Sequence, residues 1–150
     1  ENLACLDGLK NRLIALTDKD AECFEPLSRA YGMPKETEEE KAAKEQVLGK
    51  ALYEASIVPI ELMETILKTM ECLEILGEKG SRLAVSDVGV GILFAQAALE
   101  GASLNVFINT KLMKDRRQAE ELNRKADALI REGTGCSQRI YAEVLGQIRS

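Results

Sequence analysis

Apolar residues recur every three or four positions along most of the chain, the spacing of one face of an α-helix. Leu6, Leu9, Leu13, Leu16, Cys23, Leu27 and Ala30 mark the first stripe, over residues 3–31. Pro26 lies inside it and cannot donate to the carbonyl of Glu22, so a kink or a break is expected there. Gly32, Met33 and Pro34 end the segment. Thr37 followed by Glu40 has the form of a capping box and opens a second helix, whose early glutamates suit the positive end of the helix dipole. That helix should run to about Val58, with Pro59 kinking it or starting a new one. Ile60, Met63, Leu67, Met70 and Leu73 carry the next stripe, stopped by Gly77 and Gly80. Ser86 reads as an N-cap with Asp87 in the first turn. The stripe that follows is Val88, Ile92, Ala95, Leu99, Ala102, Val106 and Met113. Gly89, Gly91, Ala98 and Gly101 make this helix thin enough for a neighbour to approach, and Gly101 could divide it. Val106 to Ile108 could pass for a short strand, but the wider spacing favours helix. The last segment, from about Asp115 to Ile148, carries Ala119, Leu122, Ala126, Leu129, Gly133, Cys136, Ile140, Val144 and Ile148 and is weakened near Gly133 and Gly135. Long amphipathic helices joined by short connections imply an all-α, antiparallel helical bundle.

Composition narrows this further. The 150 residues suit one domain, residues 1–150, with a real core. Aromatics are 4%, so the core must be aliphatic. A net charge of −5, with the signs interleaved, argues against a nucleic-acid partner. No run of eighteen uncharged apolar residues occurs, so no membrane span is expected, and no signal peptide is visible. Glu1 in first place fits a chain that begins inside a longer parent. The four cysteines lie far apart and read as reduced, buried small hydrophobes of a cytoplasmic protein. With no histidine, imidazole bases and most transition-metal sites are excluded. The run Glu38–Glu40 reads as a solvated helix start, and no metal site is expected.

Polar residues that sit on apolar stripes carry the functional signal. Asp20 continues the first stripe between Leu16 and Cys23, whereas Asp18 faces roughly the other side. A buried carboxylate has a raised pKa and can exchange protons near neutral pH, or it is a structural Asp paired with Arg, Lys or a helix end. Asn109 lies between Val106 and Met113, with Asn105 four residues earlier on the same side. Two such amides can grip a heterocycle bearing donors and acceptors, or simply set helix register. Asp87 is a capping residue or a ligand contact. Lys35, after Pro34, is a solvated loop cation or a holder of an anionic tail. Tyr31 and Tyr53 read as core or interface residues with wet hydroxyls.

Three stretches in order carry a family resemblance. They are Asp18-Lys19-Asp20-Ala21-Glu22-Cys23-Phe24 with Met33-Pro34-Lys35 and Thr37–Lys41; Ser86-Asp87-Val88; and Gly101-Ala102 with Asn105-Val106-Phe107-Ile108-Asn109. Together they resemble the cyclodeaminase/cyclohydrolase family of folate one-carbon enzymes, which includes the cyclodeaminase half of formiminotransferase-cyclodeaminase. The resemblance implies a helical homodimer with a small-molecule folate site near the subunit interface. It implies conversion of formimino- to methenyl-tetrahydrofolate with loss of ammonia, or hydration of the methenyl form. The family's acidic catalytic residue falls in the Asp-x-Asp-Ala stretch, hence Asp18 or Asp20, and the stripe favours Asp20. Asn105 and Asn109 would orient the pterin or the one-carbon group, and Lys35 would meet the glutamate tail. Asp87 joins them as a candidate substrate-binding residue. No metal or redox cofactor is required, since the oxidation state of the carbon does not change. The family pattern usually opens with a further helix after a Pro-Gly-Gly-Gly-Ser-like segment, which this sequence does not contain, and Pro26 is not typical of the better-known members. The rival readings are a non-catalytic helical dimer that binds folate or scaffolds a partner, and an unrelated four-helix adaptor domain.

Overall fold

The computed structural model describes residues 2–81 and 84–150, and these form four helices with no strand among them. They are α1 (Asn2–Gly32), α2 (Glu38–Lys79), α3 (Val85–Leu112) and α4 (Arg116–Arg149). The second helix is central. It packs on all three others, α3 and α4 pack on each other, and α1 makes no comparable contact beyond α2. The helices are long and their connections short, so chain neighbours run antiparallel.

Most expected stripes are the buried ones. Leu16, Leu27 and Ala30 are buried on α1, and Leu6, Leu9, Leu13, Asp20 and Cys23 on the same face are half-buried. Met63, Met70, Ile92, Leu99 and Val106 have essentially no exposure, and Ala126 and Ile140 join them from α4. The strand alternative at Val106–Ile108 is excluded, since these residues lie within α3.

Several expected breaks do not occur. α1 passes through Pro26 and α2 through Pro59 without interruption. A proline costs one helical hydrogen bond, and in a long helix packed along one side the remaining ones hold the rod together. Gly101 and the Gly133–Gly135 pair likewise stay helical. At Gly133 the packing gives the reason: a β-carbon there would lie 2.2 Å from Leu99 Cδ2. At Gly89 it would lie 2.8 Å from Val144 Cγ1. These glycines let α3 and α4 approach closely.

The helix starts are mixed. Thr37 Oγ1 accepts from the Glu40 amide at 3.1 Å, and Glu40 Oε2 accepts from the Thr37 amide at 3.2 Å, so the capping box is real. Asp115 caps α4 by accepting from the Gln118 amide. Ser86, by contrast, is not an N-cap. Ala84 takes that place without a side-chain bond, and Ser86 and Asp87 lie in the first turn. The cysteines also need correcting. All four are free, and Cys72 and Cys136 are buried, but Cys23 is half-buried and Cys5 is exposed, 3.3 Å from Cys72.

One face remains uncovered. Val90, Leu93, Phe94, Leu104, Ile108 and Leu112 line the side of α3 away from the core, with Phe94 73% and Leu104 67% exposed. Ala97 and Gly101 lie on the same outward side, and a β-carbon at Gly101 would meet nothing within 4 Å. This makes α3 apolar on two sides. By length and composition it is the one helix among the described residues that could cross a membrane, although only 28% of its most apolar window is buried within the chain. Asp87, Glu100 and Lys111 nevertheless interrupt it, so it contains no run of eighteen uncharged residues of the kind on which the expectation turned.

Candidate active site

A cavity of about 380 Å³ opens between α1 and the C-terminal half of α3, above Ala55 of α2. Asp20, Phe24, Leu27 and Tyr31 line it from α1, at spacings of four, three and four that put them on one face. Asn105, Ile108, Asn109 and Leu112 line it from α3, again on one face. Its size is at the lower end of the range for small-molecule sites. Its lining is mostly apolar and aromatic, with one carboxylate and two amides converging on it.

Asp20 is half-buried, and burial alone pushes its carboxyl above the usual carboxylate range. A carboxylate loses hydration in such a position and gains nothing that favours its charged form. The adjacent cation does not offset this. Lys19 donates to Glu61 of α2 at 3.1 Å, and Arg12 joins the same carboxylate at 3.3 Å. These ion pairs fasten α1 to α2 beside the cavity. At the far end, Lys44 donates to the carbonyls of Tyr31 (2.6 Å) and Met33 (2.9 Å), closing the C-terminus of α1.

The two amides differ. Asn109 Nδ2 donates to the Ala55 carbonyl at 3.0 Å, which leaves its Oδ1 and second N–H free. Asn105 is exposed and makes no hydrogen bond among the described residues. Together they offer donors and acceptors opposite the Asp20 carboxyl.

The structure thus brings Asp20 together with Asn105 and Asn109, more than eighty residues further along the chain. It does not bring the other candidates to them. Asp18 is exposed and does not line the cavity. Lys35 lies in a separate groove with Lys41, Lys44 and Lys114, which also holds Glu38 and Glu45. Asp87 is exposed at the opposite end of α3, roughly 27 Å along the axis from Asn105 at 1.5 Å per residue. Within one chain, Asp87 therefore cannot touch what Asp20 touches, whereas Lys35 lies in a groove that adjoins the cavity through Lys44 and Tyr31.

Sequence reasoning missed Phe24, Ile108 and Leu112 as cavity residues, and it left Tyr31 as a core or interface residue. A signal existed: Phe24 lies four residues after Asp20, and Ile108 and Leu112 are interleaved with the asparagines. They form a second apolar line beside each core stripe. No group of three or more Cys, Asp or Glu side chains among the described residues is arranged to hold a metal ion.

Comparison with known proteins adds to this geometry. A family model described as formiminotransferase-cyclodeaminase matches residues 1–128. A methenyltetrahydrofolate cyclohydrolase from Methylorubrum extorquens is 37% identical over 142 residues, covering 95% of this chain and 68% of that protein. The formimidoyltransferase-cyclodeaminase of Sus scrofa is 31% identical over 121 residues, covering 81% of this chain and 22% of that protein. This chain thus spans under a quarter of the length of that vertebrate relative. The solved structure of a formiminotetrahydrofolate cyclodeaminase from Thermotoga maritima superposes with a TM-score of 0.81 at 27% identity, covering 95% of this chain and 67% of that one.

Proposed function

Because the chain belongs to the formiminotransferase-cyclodeaminase family, we propose that it acts on a tetrahydrofolate one-carbon derivative in the Asp20 cavity. It is an enzyme of folate one-carbon chemistry, a cyclohydrolase or a cyclodeaminase. Hydration of the methenyl form is the first reading, supported by the higher identity and coverage of the cyclohydrolase relative. Loss of ammonia from the formimino form is the second, supported by the Thermotoga maritima structure. The chemistry fits a cytoplasmic enzyme with no cofactor of its own.

Both reactions need proton transfers at a carbon flanked by nitrogens. In hydration, the Asp20 carboxylate takes one proton from the attacking water and passes it to the nitrogen that leaves the carbon, and the second water proton is released to solvent as the new hydroxyl becomes the formyl carbonyl. In deamination, the second folate nitrogen attacks the formimino carbon, and the imino nitrogen leaves as ammonia after receiving one proton from the Asp20 carboxyl and the proton shed by the attacking nitrogen. A raised pKa keeps both protonation states accessible closer to neutral pH. Asn105 and Asn109 match the alternating donors and acceptors of the pterin, while Phe24 and Tyr31 offer aromatic surface to its ring. Lys35 and its neighbouring lysines lie outside the cavity and would meet only the anionic tail.

A homodimer follows from the same reading. A second copy of α3 would cover the outward apolar stripe, and the small residues Ala97 and Gly101 would let the two backbones approach. A two-fold axis near Gly101 turns the N-terminal half of one α3 toward the C-terminal half of the other.

The observation that carries the proposal is the convergence of Asp20, Asn105 and Asn109 on one cavity. The test is the Asp20→Asn variant, assayed with methenyl-tetrahydrofolate by its near-ultraviolet absorbance and with formimino-tetrahydrofolate by ammonia release. General acid–base catalysis contributes about 10²- to 10⁴-fold, so turnover should fall by that much with the helical spectrum unchanged. Wild-type rates in the variant would remove Asp20 from the mechanism. A wild-type protein that binds these folates without turning them over would support the non-catalytic rival.

A further inference from the structure

Asn109 must point its amide in one direction to present an acceptor to the cavity, and the reason that it does so lies in another helix. Its Nδ2 donates to the carbonyl of Ala55 at 3.0 Å. Ala55 lies in the interior of α2, where a carbonyl ordinarily accepts from the amide four residues on. Here that residue is Pro59, which has no amide hydrogen. The proline ring also crowds the carbonyl four residues before it and pushes it off the helix axis. The Ala55 oxygen is therefore left without its usual donor, in a buried position facing α3. A buried carbonyl without a donor is costly, and Asn109 supplies one.

A carbonyl only accepts. Asn109 must therefore turn its NH₂ toward Ala55, and the remaining Oδ1 cannot exchange places with it. We infer that Pro59 is a positioning residue of the site: by freeing the Ala55 carbonyl it locks the Asn109 amide with its acceptor toward the ligand. Pro59 itself is buried and does not line the cavity. This inference rests on the functional reading above only for its kinetic consequence. The locked amide is a property of the folded chain.

The Pro59→Ala variant tests it, because alanine favours the helix and restores the competing N–H. A carbonyl has two lone pairs, so the effect is a weakening of the Asn109 bond rather than its complete loss. With methenyl-tetrahydrofolate as substrate, KM should rise about two- to tenfold, the range set by one modest hydrogen bond, and kcat should change less. The same substitution made on an Asn109→Ala background should add nothing further, since the residue through which Pro59 acts is gone. Side-chain amide exchange, followed by NMR without any ligand, should be slow at Asn109 in the wild type and faster in Pro59→Ala. An unchanged KM, additive effects in the double variant, or equal amide exchange in the two proteins would each overturn the inference. A wild-type protein inactive on both folates would instead refute the functional reading, and the ligand-free amide measurement would still decide the role of Pro59.

Discussion

Gly133 and Gly135 lie two residues apart on α4, and the structure assigns opposite outcomes to filling them. Gly133 is buried, and a β-carbon there would sit 2.2 Å from Leu99 Cδ2, 3.6 Å from Leu99 Cγ and 3.4 Å from Met70 Sδ. Leu99 and Met70 are both fully buried, so neither can move into solvent. Gly135 is exposed, and a β-carbon there would meet nothing within 4 Å. Replacing glycine by alanine inside a helix gains about 1 kcal/mol at either position. At Gly133 the forced displacement of Leu99 costs about 1–3 kcal/mol. The propensity gain is common to both variants and cancels in their difference. Gly133→Ala should therefore be less stable than Gly135→Ala by about 1–3 kcal/mol. For a chain of this length that separates their melting temperatures by roughly 2–12 °C. Gly135→Ala should melt at or above the wild type. The assay is thermal and urea unfolding followed by circular dichroism at one fixed protein concentration, since association would shift the midpoint. Equal stability of the two variants would mean that α4 does not approach Leu99 and Met70 as described.

Other expectations concern the site and the helix ends. Because burial raises the Asp20 pKa, the folded chain binds its proton more readily than the unfolded chain does. Stability therefore falls as pH rises from the ordinary carboxylate range through the raised value. Asp20→Asn should accordingly be at least as stable as the wild type at pH 7, with the difference vanishing in acid; a variant much less stable at pH 7 would refute this sign. Thr37→Ala should cost about 1 kcal/mol by removing the capping box, read as a shift in the urea midpoint. If the chain pairs through α3, Phe94→Asp should leave the helical spectrum intact and reduce the sedimentation coefficient to that of a monomer, because Phe94 is the most exposed large side chain of the outward stripe. An unchanged sedimentation coefficient would argue against a homodimer built on α3.

Much of the architecture was readable from spacing because the cores of helices are periodic. The α3 and α4 stripes coincide with the burial pattern almost residue by residue, and Asp20 was identified by its place between Leu16 and Cys23. The failures have physical reasons. Of the two outcomes expected at each proline, a kink or an interruption, the interruption does not occur, because tertiary contacts hold both helices through the lost hydrogen bond. Ser86 looked like an N-cap because Ser-Asp is the common chemistry, but the helix starts one residue before it and uses an uncapped Ala84. Phe24, Ile108 and Leu112 were overlooked because a single-stripe reading assigns each helix one apolar side. The remote placement of Asp87 could not be read from order along the chain, since linear order carries no distance between helix ends.

The position of α1 also bears on how the cavity is entered. Its main packing is on α2, and of its described residues only Leu16, Leu27 and Ala30 are buried. Opening free energy follows local burial, so α1 should be the first part to loosen, well before the other three helices melt together. This helix also supplies Asp20, Phe24, Leu27 and Tyr31, four of the nine residues that line the cavity. A bound pterin would bridge α1 to α3 and tie the loosest element to the firmest, so hydrogen–deuterium exchange in residues 20–31 should slow on binding more than anywhere in α4.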